Sequence, residues 1–227
     1  KFLGLKGGKA ATSHGHMDAG TFVYDAYNVR WAMDLGSEDY TKLEINIGNG
    51  PTWDSSQNSL RWDVFRLNNK QHNTLTINDA KHNVEGFATV VSAIDSETEQ
   101  GAVLDLTPVF AGEAAAVQRT GKIVDSRNLV ILDEITARPD KEARIRWTLV
   151  TETSPTVEED GITLTASNGR IMRVTTEAEV GITYASFPDE PSTAYETPLP
   201  TVSIVGFEAT VPAGASVSFR TVFTPVP

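Results

Sequence analysis

The apolar residues of this chain occur in short runs, and the length of these runs constrains the fold more than any other feature. The runs are rich in β-branched and aromatic residues and are bounded by Gly, Asn, Asp and Ser, which is typical of β-strands. Three pairs of runs flank short polar segments at 25–28, 125–128 and 166–170, and each pair predicts a β-hairpin. No convincing helical periodicity is longer than two turns. The sequence therefore predicts an all-β fold, a large antiparallel β-sandwich with few or no helices.

The size of the chain fits one such sandwich. The chain has 227 residues, and all-β sandwiches reach about 200–250 residues as one domain. We therefore expect a single domain over 1–227. The chain begins at Lys1 with neither an initiator Met nor a signal peptide, so we expect it to be a piece cut from a longer protein.

One segment departs from the strand pattern. Residues 48–71 are rich in Asn, Ser, Asp and Trp and show no clear period. We interpret this segment as a long loop with one short strand near 62–65. Loops of this length in compact domains often carry function. Arg66 is a candidate contact for a substrate carboxylate, although an arginine lying along the sandwich surface is the more common case.

Composition and charge exclude several functional classes. Lys and Arg total 19 and Asp and Glu total 30, which gives a net charge of −11. Nucleic-acid-binding proteins are normally basic, so no nucleic-acid partner is expected. The chain contains no Cys, which excludes disulfides, Cys-ligated metal and thiol catalysis. No apolar run is long enough for a transmembrane helix, so no membrane span is expected.

The segment His14-Gly15-His16 carries the strongest chemical signal. On a β-strand, residues i and i+2 point to the same side, so both imidazoles could bind one metal ion. Asp34 ends the second strand of the next hairpin, and His72 begins another strand after the long loop. Two His and one carboxylate make a plausible zinc site with an open position. Each residue alone has an ordinary structural explanation, and only their joint occurrence predicts a site.

Four separate sequence elements resemble the heparinase II/III family of polysaccharide lyases. Their order and spacing along the chain make the match specific. They lie in the first third of the chain, and the remainder agrees with the family only in being rich in β-strand patterns. The elements are GG at 7–8, HGHMDAGTF at 14–22, RWAMDLG at 30–36 followed by Tyr40, and HNTL at 72–75.

The resemblance implies a fold and a division of the protein. Members of this family join an N-terminal α-helical toroid to a C-terminal antiparallel β-sandwich, and this chain resembles the C-terminal part alone. The full-length protein is then expected to be a lyase, periplasmic or secreted, that cleaves an acidic, uronate-containing polysaccharide by β-elimination. The remaining catalytic groups of the family, a Tyr with an Asn or a His, belong to the missing toroid domain. We therefore expect the isolated chain to be inactive.

The resemblance also implies roles for individual residues. His16, Asp34 and His72 match the family's ligands for a divalent metal ion, most often zinc, which we expect to be structural. His14 matches the histidine that lines the cleft and takes part in proton transfer. A histidine with a pKa near neutral suits either the acid or the base role.

Two other functions compete with this interpretation. Gly8 followed by the His-x-His pair fits the opening of a cupin motif, but Gly20 and Thr21 occupy the positions where that motif needs a Glu ligand. A non-catalytic carbohydrate-binding module would account for exposed Trp53 and Trp62 but not for the His and Asp cluster. His82 lies in a polar, turn-like stretch, and we interpret it as structural.

Overall fold

The computed structural model describes residues 1–227 and contains three antiparallel sheets. The largest has nine strands in the order β11-β12-β13-β16-β9-β8-β7-β6-β2, and the smaller two have the orders β14-β15-β10-β5 and β1-β3-β4. The strands are β1 (Phe2–Leu5), β2 (Gly8–Lys9), β3 (Phe22–Ala26), β4 (Val29–Ala32), β5 (Leu75–Ile77), β6 (Phe87–Asp95), β7 (Glu99–Asp105), β8 (Ala114–Val124), β9 (Asn128–Ala137), β10 (Ala143–Thr151), β11 (Ser154–Glu158), β12 (Gly161–Thr165), β13 (Ile171–Glu177), β14 (Ile182–Phe187), β15 (Ser203–Val211) and β16 (Ser216–Val226). The predicted all-β antiparallel sandwich is confirmed.

The three predicted hairpins are present as β3–β4, β8–β9 and β12–β13. The first turns at Tyr27 and Asn28, which both have positive φ, and the second at Asp125 and Ser126, which do so as well. Two consecutive residues with positive φ match the twist of the flanking strands, as in a type I′ turn. Local turn chemistry therefore fixes the register of these strand pairs.

Aromatic side chains join the layers of the sandwich. Phe223 of β16, in the nine-stranded sheet, lies 6.0 Å from Phe22 of β3 and 6.5 Å from Trp147 of β10, between ring centroids. Phe219 on the same strand lies 5.6 Å from Phe207 of β15. Both smaller sheets therefore pack against the large one, and 36 buried residues form one continuous core.

A buried ion pair extends from the large sheet toward the segments that carry the predicted site. Arg119 of β8 and Asp133 of β9 form two hydrogen bonds of 2.7 and 2.9 Å, and neither side chain is exposed. Arg119 also donates to the carbonyl oxygens of Gly20 and Asn73, each at 2.8 Å. Bidentate geometry in which every guanidinium nitrogen has an acceptor is the arrangement in which a buried ion pair is tolerated. The pair therefore holds the loop after His16 and the loop after His72 at fixed positions.

The segment 40–71 is helical, so the prediction of a short strand near 62–65 is wrong. It contains helices α1 (Tyr40–Ile47) and α2 (Asn49–Trp53), followed by 3-10 helices at Leu60–Asp63, Phe65–Leu67 and Asn69–Gln71; a further 3-10 helix spans Thr107–Phe110. The side chains of Ser59 and Asn68 accept hydrogen bonds from backbone N–H groups two residues ahead. Such local bonds favour turns over strand pairing. No helix in the structure combines the length and the apolar character needed to cross a membrane.

Trp62 is fully buried rather than exposed as expected. It packs in a second, smaller core with Leu43 of α1, Met17 and Leu67. Its indole N–H donates to the carbonyl of Ser56 at 2.9 Å. An amphipathic ring buries readily when its N–H finds a partner, and here the ring anchors the helical segment to the loop that carries His16.

Candidate metal centre and cleft histidine

The structure brings two of the predicted metal ligands together. The ligand atoms of His16, Asp18 and His72 all lie within 4.8 Å of one another, and the two imidazole centroids are 5.2 Å apart. His72 and Asp18 are buried, and His16 is partly buried. These residues come from loops more than fifty positions apart, so tertiary contacts must hold them in register.

The residues that follow His72 explain how that loop is held. The Asn73 amide donates to the carbonyls of Phe22 and Met33 at 2.7 and 2.8 Å, and its oxygen accepts from the N–H of Val150 at 2.6 Å. The Thr74 hydroxyl donates to the carbonyl of Ala19 at 2.7 Å. Both side chains are fully buried. The Asn-Thr pair thus joins His72 to the hairpin β3–β4 and to β10.

The hydrogen bonds of His72 fix which nitrogen can bind a metal. Its Nε2 lies 2.9 Å from the carbonyl oxygen of Arg66, which can only accept, so Nε2 carries the proton. Its Nδ1 lies 3.1 Å from Oδ2 of Asp34. In a neutral imidazole this Nδ1 presents a lone pair toward the carboxylate, and a metal ion between the two atoms would stabilise that arrangement. A backbone carbonyl on the other nitrogen is the usual support for a metal-ligating His.

The protonation states of the predicted ligands suit a metal ion. Burial, and after it the neighbouring His72, lowers the pKa of His16 from 6.5 to about 4, so the His16 imidazole is neutral at pH 7. Burial would raise the pKa of Asp34, but the hydrogen bond and charge of His72 and the N–H of Gly36 outweigh it and hold the pKa well below its usual range. Neutral imidazole and ionised carboxylate are the forms that bind metal. The residues therefore fit a divalent metal ion.

Two carboxylates compete for a place in this group. Asp34, the predicted ligand, contacts His72 but lies outside the trio that converges. Asp18 is inside the trio, and both its oxygens are paired with Nζ of Lys6 at 2.5 and 2.6 Å. Asp18 is not among the ligands predicted from the sequence, where its only signal is its position two residues after His16. A hollow of about 300 Å³ is lined by both carboxylates and by Lys6.

His14 lies in a turn and His16 follows it in irregular backbone, so the pair is not on a strand as expected. His14 has φ of 59°, and the N–H of Gly15 donates to the carbonyl of Thr12 at 2.9 Å. An added Cβ at Gly15 would lie 2.2 Å from the Thr12 hydroxyl, so a larger residue there would displace the Thr12 side chain. The two imidazoles consequently have different surroundings. His16 joins the buried group, whereas the exposed His14 ring packs against aromatic side chains of the helical segment.

Arg66 is not placed to contact a substrate or to lie along the sandwich surface, so both expectations for it are wrong. Its side chain is 8% exposed and lies 3.4 Å from the buried carboxylate of Glu38. The guanidinium also donates to the carbonyl of Leu35. Arg66 therefore supports the loop after Asp34 from inside the fold.

His82 lies outside the converging group of His16, Asp18 and His72. It is buried, its Nε2 is 3.2 Å from the carbonyl of Leu75, and its ring meets the edge of Phe110 at 5.0 Å. Burial lowers the pKa of His82 from 6.5 to about 4. These surroundings agree with the structural role expected for it.

Comparisons with known proteins agree with this architecture. A family model described as "Heparinase II/III-like, C-terminal" matches residues 2–216. No curated protein matches the chain. Among solved structures, a heparinase III with methylated lysines superposes with a TM-score of 0.69 at 17% identity, covering 99% of this chain and 32% of its own. A mutant of the heparan sulfate lyase HepC from Pedobacter heparinus gives 0.68 at 12% identity, with coverages of 98% and 32%.

A second heparinase III structure gives a TM-score of 0.68 at 16% identity, covering 96% of this chain and 32% of that protein. At such identities the superpositions show the fold alone. The chain spans about a third of the length of these structural relatives. The family model, in contrast, covers nearly every residue, including all four sequence elements, and the chain belongs to the heparinase II/III-like C-terminal domain family.

Proposed function

We propose that this chain is the C-terminal β-sandwich domain of a longer polysaccharide lyase, periplasmic or secreted, that cleaves a uronate-containing polysaccharide by β-elimination. The observation that carries the proposal is the split of the His-x-His pair, with His16 in a buried group and His14 exposed beside it. His14 is thereby accessible to a substrate, while His16 belongs to the buried group. The names of the structural relatives, heparinase III and heparan sulfate lyase, favour acidic polysaccharide as the substrate class.

We assign His16, Asp34 and His72 as the ligands of one divalent ion, and zinc is the ion whose preferences this donor set meets. A bound ion would supply a rigid cross-link between three loops. The residues themselves contribute the remaining support, because Asn73 and Thr74 fix the position of His72 and Arg66 fixes the orientation of its ring through a backbone carbonyl.

The proposed chemistry needs three events at the sugar. The proton α to the uronate carboxylate is removed, a double bond forms between C4 and C5, and the bond from C4 to the glycosidic oxygen breaks as that oxygen gains a proton. Positive charge or hydrogen-bond donors must offset the carboxylate, because negative charge builds up on it as the proton leaves. The exposed His14 is the group of this chain that can exchange a proton there. A helical toroid domain would supply the other catalytic groups, so the isolated chain is inactive in this scheme.

The test uses the full-length protein that contains this chain. Heparan sulfate, other glycosaminoglycans and alginate are each incubated with it, and the absorbance of the unsaturated product is followed. We expect at least one substrate to be cleaved, and His14→Ala to remove cleavage while metal content and melting temperature stay unchanged. Loss of metal in His14→Ala would favour the three-histidine cupin-like interpretation. No absorbance on any uronate polysaccharide would reject the lyase proposal.

A further inference from the structure

Strand β6 leaves one edge of the nine-stranded sheet open. On one side it pairs with β7, whereas on the other side β2 covers only Phe87 and Ala88. From Thr89 to Asp95 no strand lies beyond it, so the backbone N–H and C=O groups of these seven residues that point away from β7 have no strand partner. We call this stretch the free edge. A row of unpaired backbone groups is a template for pairing with another strand.

The side chains of β6 do not protect this edge. Phe87, Val90 and Val91 are 53%, 58% and 51% exposed, and they make up three of the seven large exposed apolar side chains of the chain. β6 contains no proline, and its only charged residue stands at its end. The opposite edge strand of the same sheet, β11, carries Pro155 and Glu158, which are residue types that discourage pairing. A bulge beside Val91 is the one protective feature that β6 has.

The charge pattern of the free edge favours a second copy of this chain as its partner. Each copy carries a net charge of −11, so two copies repel each other wherever their acidic surfaces meet. The free edge is uncharged up to Asp95. If two free edges pair antiparallel about Ser92, Asp95 of each copy lies opposite Thr89 of the other. No like charges are then directly opposed, which is the condition for a stable cross-strand arrangement.

The length of the free edge also fits such self-pairing. Ser92 is the middle residue of 89–95, so the two free edges overlap over their whole length and each ends beside Gly8 of the other copy, where β2 begins. The next residue, Lys9, is 47% exposed at its side chain and lies 3.9 Å from Glu85. Glu97, in the turn after β6, is exposed and forms no ion pair. Self-pairing brings this carboxylate toward Lys9 of the second copy.

We propose that two copies of the protein dimerise through their free edges, antiparallel about a two-fold axis at Ser92, so that the two nine-stranded sheets join into one. Because both copies use the same edge, the contact closes on itself and leaves no edge for a third copy. A standard interface buries about 800 Å² on each partner, and a seven-residue edge supplies only part of that area. We therefore expect a weak dimer, with a dissociation constant of about 10–100 µM. This inference does not depend on the proposed lyase activity.

The first test measures the association of the full-length protein that contains this chain. Sedimentation equilibrium at about 1–300 µM should show a reversible equilibrium between monomer and dimer. Hydrogen exchange at the two ends of this range should show amides of the free edge protected at the high concentration only. A monomer throughout would overturn the inference. Protection that is the same at both concentrations would also overturn it, because another part of the same chain would then cover the edge.

Variants at the proposed axis test the register. Ser92 is exposed, so Ser92→Lys and Ser92→Glu should both fold, and melting curves check this. Each variant opposes two like charges at the axis, so we expect each alone to raise the dissociation constant at least about 10-fold. An equal mixture of the two should form the dimer again, because opposite charges then meet. Ser154→Lys is the matched control, since Ser154 is exposed on the opposite edge strand β11, and it should leave the equilibrium unchanged.

Three results with the variants would overturn the inference. The first is an unchanged equilibrium in both Ser92 variants, which would place the contact elsewhere on the molecule. The second is a mixture of the two variants that stays monomeric, because residue 92 of one copy would then not face residue 92 of the other. The third is an effect of Ser154→Lys as large as that of Ser92→Lys, which would mean that net charge rather than the free edge governs association.

Discussion

At the scale of single residues, the choice between Asp34 and Asp18 decides how the metal group works. Asp34 faces the lone pair of His72, whereas both oxygens of Asp18 are neutralised by Lys6. We therefore predict that Asp34→Asn lowers metal affinity by at least about 10-fold and that Asp18→Asn has a smaller effect. Metal content after dialysis, measured by plasma mass spectrometry, gives the answer. If Asp18→Asn strips the ion and Asp34→Asn does not, the assignment of Asp34 is wrong.

His82 predicts a pH dependence of stability. Its pKa is about 4 in the folded protein against 6.5 in the unfolded chain, mainly because of burial, so the unfolded state binds the extra proton between these values. The contribution of His82 to the free energy of unfolding is therefore fully present above pH 6.5. It falls by about 3 kcal/mol as the pH drops toward 4. His82→Gln should flatten the dependence by that amount in urea unfolding at pH 7, 5.5 and 4.5. Parallel curves for the two proteins would show that His82 does not titrate this way.

At the scale of secondary-structure elements, Asn73 is the residue that joins the loops to the sheets. It makes three buried hydrogen bonds, to two segments of the β3–β4 hairpin region and to β10. Replacing it by Ala leaves two carbonyls and one N–H without partners, so we predict a loss of about 3 kcal/mol or more in the free energy of unfolding. The exposed Asn46→Ala serves as control, with a change within about 0.5 kcal/mol. A loss at Asn73 no larger than the control's would contradict this role.

The elements that could be predicted from the sequence are those fixed by local chemistry. The hairpin turns at Tyr27-Asn28 and Asp125-Ser126 lie between apolar runs, and both hairpins form where expected. The segment 60–71 could not be predicted, because side-chain caps from Ser and Asn turn it into 3-10 helices. Its apolar residues alternate with polar ones much as a short strand would.

Some features of the candidate site can also be predicted from the sequence, and others cannot. The proximity of His16 and His72 can be predicted from the sequence, because both residues belong to the set of elements that resembles one family. The resemblance also predicts separate surroundings for His14, whereas the i, i+2 spacing does not, because it assumes a strand where the chain turns at Gly15. Burial of Arg61 and Trp62 depends on contacts with α1 and α2, and no local pattern reveals it.

At the scale of the whole molecule, the proposed ion ties together parts of the chain that the sheets alone do not join. An ion that binds the folded but not the unfolded state stabilises the protein by linkage. Chelation of a metal-loaded sample should therefore lower the melting temperature by about 5–10 °C, and Asp34→Ala should do the same without chelator. Differential scanning calorimetry measures both. An unchanged melting temperature after the metal has been removed would show that the site is not structural.

The net charge of −11 places a requirement on the binding of an acidic polymer. The overall field repels it, so the attraction must come from local positive groups. Within this chain, two positive groups lie near the candidate site. Lys6 is paired with Asp18, whereas Arg61, which donates to the carbonyl of Gly15, has no acidic partner. Binding that strengthened steadily as salt was raised would indicate that repulsion dominates at the site.

The central claim is that bond cleavage occurs by elimination, and the products of one reaction test it most directly. The full-length protein is incubated with the polysaccharide it cleaves in water labelled with heavy oxygen, and the fragments are weighed by mass spectrometry. Elimination adds no water, so we predict unlabelled new ends, one of them carrying the unsaturated uronate. Saturated new ends, with one heavy oxygen incorporated for each bond broken, would mean hydrolysis and would contradict the account.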